Sequence, residues 1–100
     1  SQTFSRLEKL LFLNLSQVGL ESLDSLLISK FVELEILDLS FNSLISIPKD
    51  YFKKNMAISS LYLNNNKINH IDLFILQINN LIHTFIFANN NLTSFDFNLF

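Results

Sequence analysis

Leu34-Glu35-Ile36-Leu37-Asp38-Leu39-Ser40-Phe41-Asn42-Ser43-Leu44-Ile45-Ser46-Ile47 carries the pattern that decides the fold. Apolar residues stand at Leu34, Leu37, Leu39, Leu44 and Ile47, with Asn42 set among them. The same spacing occurs 24 residues earlier as Leu10, Leu13, Leu15, Val18, Leu20 and Leu23. It returns twice downstream, first as Ile58, Leu61, Leu63, Asn66, Ile68 and Ile71, then as Ile82, Phe85, Phe87, Asn90, Leu92 and Phe95. Of these 24 sites 21 are apolar, and the other three are all Asn in one column, so the chain is an internal repeat.

A further bulky column follows each motif at Ile28, Phe52, Leu76 and Phe100, with Phe4 preceding them. The expected organisation is a single segment with full repeats at 10–33, 34–57 and 58–81, the end of a truncated repeat at 1–9 and a partial one at 82–100. Because Phe4 and Phe100 share a repeat position, the chain is expected to be an excised piece lacking polar caps. Flanking repeats of a longer chain are therefore expected partners.

On these motifs the chain resembles the leucine-rich repeat family, in particular its 24-residue typical subclass, common in Toll-like receptors and related extracellular proteins. The resemblance covers the whole chain and implies an α/β, right-handed solenoid: a horseshoe arc with short parallel strands on its concave side and irregular or short-helical returns on its convex side. It also implies non-catalytic recognition of a protein or other macromolecule through the concave face. An extracellular or cell-surface receptor follows from it, with glycoprotein, signal-transduction and innate-immunity associations. An intracellular scaffold or regulatory subunit in the cytoplasm is the alternative, consistent with the absence of Cys.

The spacing has its own physics. Alternation across Leu37-Asp38-Leu39 sends both leucines to one face and Asp38 to the other, as a short strand requires. Parallel strands about 4.8 Å apart would stack those leucines into one core, which no single unit can close. The bend after each strand turns backbone polar groups inward, and an Asn carboxamide can both donate to and accept from them. Asn42, Asn66 and Asn90 are thus expected to form a structural ladder, with a looser or water-filled turn at Val18, and Asn65 nearly free to vary. Phe52 is expected to plug the opposite side.

Outward positions of the strands fall into columns that define a candidate binding face. Phe12, Ile36, Ser60 and Thr84 form one, and Asn14, Asp38, Tyr62 and Ile86 the next. Ser16, Ser40, Asn64 and Ala88 follow, then Gln17, Phe41, Asn65 and Asn89. The residues singled out there are Phe12, Ile36, Asp38, Phe41, Tyr62, Asn64, Asn65, Thr84, Ile86 and Asn89. This mixture of aromatics and amides with few charges suits protein or glycan contact better than phosphate.

Composition narrows the classes further. A net charge of −2 gives no basic excess for nucleic acid. The uncharged stretch Leu73 to Phe95 is long enough to span a bilayer, but its Gln77, Asn79 and Asn80, its later Asn89 to Asn91 and its His83 would be costly in hydrocarbon, so no membrane contact is expected within the segment. No apolar leader opens the chain. Asp24, Asp72 and Asp96 share a column that suggests calcium, yet Pro48 interrupts it, which favours capping of local turns and no metal site.

Arg6, Lys30 and Lys54 align on the convex side, ended by Ile78, with Glu8 and Glu33 nearby, as in a solvated face. His70 and His83 fall on different sides of the coil with no nucleophile fixed beside either, so neither a catalytic residue nor a cofactor is expected. Asn14-Leu15-Ser16 and Asn91-Leu92-Thr93 are sequons. With 13 Asn and 15 Ser plus Thr per 100 residues, about two arise by chance, so these motifs alone do not indicate secretion.

Overall fold

The computed structural model describes residues 8–24, 26–72, 81–92 and 94–96, with backbone alone for 72 and 94–96. Four three-residue strands, β1 (Phe12–Asn14), β2 (Ile36–Asp38), β3 (Ser60–Tyr62) and β5 (Thr84–Ile86), form one parallel sheet in the order β1-β2-β3-β5. Leu13 pairs with Leu37, Leu37 with Leu61 and Leu61 with Phe85, so each step across the sheet is 24 residues along the chain. That register follows from the inward apolar positions: a slip of one residue would turn every leucine to the other face.

Backbone pairing runs beyond the strands in the same rhythm. Leu15, Leu39 and Leu63 donate their N–H to the carbonyls of Asp38, Tyr62 and Ile86 at 2.8, 2.8 and 2.7 Å. Past the bend, Ser43, Lys67 and Asn91 donate to Leu20, Leu44 and Ile68 at 2.8, 2.8 and 3.0 Å. The inward side chains fill the space this creates: Leu34, Leu37, Leu39, Leu44, Ile58, Leu61, Leu63 and Ile68 are completely buried. Leu10, Leu13, Leu15 and Leu20 on one side, and Ile82, Phe85, Phe87 and Leu92 on the other, are partly buried against that core. Ile28 and Phe52 close it opposite the sheet at 1% and 2% exposure, as their column requires, whereas Phe4, Leu76 and Phe100 lie outside the described residues.

Along 26–33 and 49–57 the returns are successive turns and not helices. Leu27, Phe31 and Leu34 donate to the carbonyls three residues earlier, at Asp24, Ile28 and Phe31, and Tyr51, Lys53, Asn55 and Ile58 do the same to Pro48, Asp50, Phe52 and Asn55. Two side chains brace this side across coils: the Tyr51 hydroxyl donates to the Asp24 carbonyl at 2.8 Å, and Asn55 Nδ2 donates to the carbonyls of Ile28 and Phe31 at 2.9 and 3.1 Å. The Tyr51 ring also meets Phe52 edge-on, with centroids 5.1 Å apart.

A second parallel pair, β4 (His70–Asp72) with β6 (Ser94–Asp96), was not expected. It places Asp72 and Asp96 at strand ends, and the capping expected of their side chains lies outside the described residues. The preceding coil cannot extend this sheet in the same way, because Pro48 stands in that column without an N–H to donate. Asp24 does behave as a capping residue: its Oδ1 accepts the Leu26 N–H at 2.8 Å. Lys30 and Lys54 are exposed, and Arg6 and Ile78 of their column fall outside the described residues. No helix among the described residues is long and apolar enough to cross a membrane.

Candidate functional site

The Asn column sets the edge of the outward face by fixing the bend after each strand. Asn66 donates from Nδ2 to the carbonyls of Leu39 at 3.0 Å and Leu63 at 3.1 Å, while its Oδ1 accepts the Leu44 N–H at 3.0 Å. Asn90 repeats this with Leu63, Phe87 and Ile68 at 3.0, 2.9 and 2.9 Å. Asn42 repeats it with Leu15, Leu39 and Leu20 at 2.9, 3.0 and 3.0 Å, and also accepts the Val18 N–H at 3.2 Å. Each amide therefore completes the bend of the coil before it as well as its own.

That direction gives the turn at Val18, expected to be looser, an acceptor from the next coil. Gln17, Phe41, Asn65 and Asn89 all have positive φ, at 57°, 55°, 60° and 59°, but in the first coil Gly19, at 79°, adds a second left-handed residue that Ser43, Lys67 and Asn91 do not, so the Val18 bend shares the first step of the others and departs from them at Gly19. Asn42 of the next coil supplies what Val18 cannot. The same column corrects the idea that Asn65 is free to vary. Its left-handed backbone suits Asn and Gly, and its Oδ1 also accepts from Asn64 Nδ2 at 2.9 Å.

Strand alternation and these bends carry the candidate residues to the outward side. Phe12, Ile36, Phe41 and Ile86 are 55%, 36%, 50% and 41% exposed, an apolar content that single scattered residues would not concentrate on one sheet. Asp38, Tyr62, Asn64, Asn65 and Thr84 are half-buried, and Asn89 is exposed. Ser60, which alternation also points outward, is buried: its small side chain lies in register between the larger Ile36 and Thr84.

Two polar members of the face are held internally. Asp38 Oδ1 accepts both the backbone N–H and the hydroxyl of Ser40, and Asn14 Oδ1 accepts the N–H and hydroxyl of Ser16 at 2.9 and 2.7 Å. In the third and fourth coils the corresponding pairs are Tyr62 with Asn64 and Ile86 with Ala88, which leaves a less charged surface at that end. His83 borders it with Nδ1 3.0 Å from Thr84 Oγ1, and His70 opens β4 on the other side of the bend.

On the opposite side a shallow groove of about 290 Å³ is lined by Leu26, Ser29, Asp50, Tyr51, Lys53 and Lys54. The Tyr51 phenol is pushed up to about 12 by burial and, secondarily, by the charge of Asp24. Its donated bond to the Asp24 carbonyl makes it a structural brace. No cluster of three or more metal-ligating side chains occurs among the described residues. Sequence reasoning did not pick out Tyr51 or Asn55; the available signals are that Tyr51 follows Leu27 in its column and that Asn55, after Phe31, recurs 24 residues later as Asn79.

Comparison with known proteins agrees with this architecture. Residues 32–77 match the family described as leucine rich repeat. Osteomodulin of Rattus norvegicus is 41% identical over 78 residues, which is 78% of this chain and 18% of that protein. Osteomodulin of Bos taurus is 36% identical over 81 residues, 81% of this chain and again 18% of the relative. The chain thus spans under a fifth of the length of these relatives.

Proposed function

Because this chain belongs to the leucine-rich repeat family, we propose that it is a non-catalytic recognition module, binding a protein through the outward face of its four-stranded sheet. The observation that carries this reading is the continuous outward surface from Ile36 through Tyr62 to Ile86, where apolar exposure coincides with few charges. In the proposed arc this face is concave, and the repeats divide at 10–33, 34–57 and 58–81. Asn64, Asn65, Thr84 and Asn89 supply adaptable hydrogen bonding beside the apolar residues, while Phe41 extends the contact at the bend.

The proposed setting is extracellular. It rests on the likeness to the two osteomodulins, and the exposed asparagines of both sequons are compatible with it. A receptor, signalling or innate-immunity role gains no support from these relatives, and neither does the cytoplasmic alternative.

A photo-crosslinking amino acid placed at Tyr62 or Ile86 of the full-length protein tests the face. Crosslinks to a protein partner are expected from these positions and not from Val32 or Met56, which are exposed elsewhere on the coil at 52% and 50%. Crosslinks confined to Val32 and Met56 would overturn the reading.

A further inference from the structure

Phe12 and Asn14 stand two residues apart on β1, and therefore on the same face, about 6.7 Å from one another along the strand. Phe12 is 55% exposed, an unusual position for a phenylalanine that contributes nothing to the core. Asn14 is exposed too, and its two amide ends are used differently. Oδ1 is occupied by the Ser16 N–H and hydroxyl, whereas Nδ2 donates to no group among the described residues. Asn14-Leu15-Ser16 is a glycosylation sequon, so the free nitrogen is the atom that a glycan would use.

The next coil separates structure from chemistry at this column. Asp38 and Ser40 form the same local lock, so the fold needs only the oxygen acceptor that Asp and Asn share. An amide nitrogen is superfluous to the lock, yet at Asn14 it is present, accessible and beside an exposed aromatic ring. The lock spans two residues and can form before the sheet assembles, so it is available to a chain being modified during synthesis.

We infer that Asn14 is an N-glycan acceptor and that the first sugar packs its C–H face on the Phe12 ring, whose negative π face attracts such hydrogens. This rests on the extracellular reading above. The donor is an oligosaccharide linked to a polyisoprenyl diphosphate. The bond from sugar C1 to the diphosphate oxygen breaks, a bond from C1 to Asn14 Nδ2 forms, Nδ2 gives up one proton, and the polyisoprenyl diphosphate leaves. A glycan here covers the β1 end of the outward face, confining a protein partner to the end with Tyr62 and Ile86. Asn91 differs: the residue two before it is Asn89, which offers no ring.

Full-length protein secreted from animal cells provides the test. Enzymatic release of N-glycans in 18O water converts each occupied Asn to labelled Asp, read by mass spectrometry on the peptides bearing Asn14 and Asn91. Label at Asn14 is the expected result. Label at Asn91 alone overturns the inference and leaves the extracellular reading standing; label at neither overturns the inference and also removes glycosylation as support for that reading. An Asn14→Asp variant, which keeps the lock as Asp38 does, is expected to fold, to be secreted and to lose one glycan. Removing the glycans from the natural protein should lower its Tm by a few degrees, and in Phe12→Ala this drop should vanish. An undiminished drop in Phe12→Ala would overturn the stacking on Phe12.

Discussion

Asn66 Nδ2 lies 3.0 Å from the carbonyl oxygen of Leu39, a residue 27 positions earlier in the chain. The bond joins neighbouring coils at a point where neither strand ladder can reach. With the Leu44 N–H accepted by its Oδ1, the amide spans two coils inside a site only 8% exposed. Replacing Asn66 with Ala would strand both partners, so a loss of about 1–3 kcal/mol is expected in urea denaturation. No change in the midpoint would refute the ladder.

The left-handed column makes a prediction of opposite sign. Phe41 holds φ 55° with a bulky side chain half in solvent, whereas Asn65 and Asn89 hold the same conformation with a residue suited to it. Phe41→Asn should therefore stabilise the fold by about 1 kcal/mol, and Asn65→Val should destabilise it by about 1–2 kcal/mol. Thermal unfolding of both variants checks the pair.

Phe52, 2% exposed beneath the turns, fills space that no neighbour can reoccupy without moving the core. Phe52→Ala is expected to lose about 3–5 kcal/mol, measured by denaturant titration. A loss below about 1 kcal/mol would show that this side of the coil is not closed as described.

Tyr51 links stability to alkaline pH. Its folded pKa is raised to about 12 from the ordinary 10 of the unfolded chain. Below pH 10 both states hold the proton and the contribution is complete; between 10 and 12 only the unfolded chain ionises, so the contribution falls, and it is gone once the folded phenol also titrates. Tyr51→Phe should be about 1 kcal/mol less stable at neutral pH and show a shallower decline across that interval. Equilibrium unfolding at a series of pH values compares the two.

The core, the strand register and the Asn ladder were legible because each recurs in several coils, and recurrence turns a weak local preference into a column. Leu13, Leu37, Leu61 and Phe85 align on the repeat period alone, and the sheet pairs them in that order. The braces of Tyr51 and Asn55 were not legible, since the acceptor of each is a backbone carbonyl that leaves no mark in sequence. The positive φ at Phe41 was hidden for another reason: the bend imposes it through tertiary bonding, against the residue's own preference. The β4–β6 pair depends on two adjacent coils both lacking proline at one site, a condition that can be recognised only after the coils are stacked. At the candidate site, alternation identified the outward residues but did not show Ser60 covered, or Asn14 and Asp38 locked to Ser16 and Ser40.

Everything proposed for the outward face depends on residue n lying beside residue n + 24, and the absence of Cys from these 100 residues makes that directly measurable within them. Tyr62 and Ile86 are partners in the register, so cysteines placed at both would have Cα atoms about 4.8 Å apart, within reach of a disulfide. Cysteines at Tyr62 and Thr84 would be about 8 Å apart on the diagonal, beyond that reach. Mild oxidation followed by mass spectrometry should give an intramolecular disulfide readily in the 62/86 pair and little in the 62/84 pair; the reverse ranking would contradict the register.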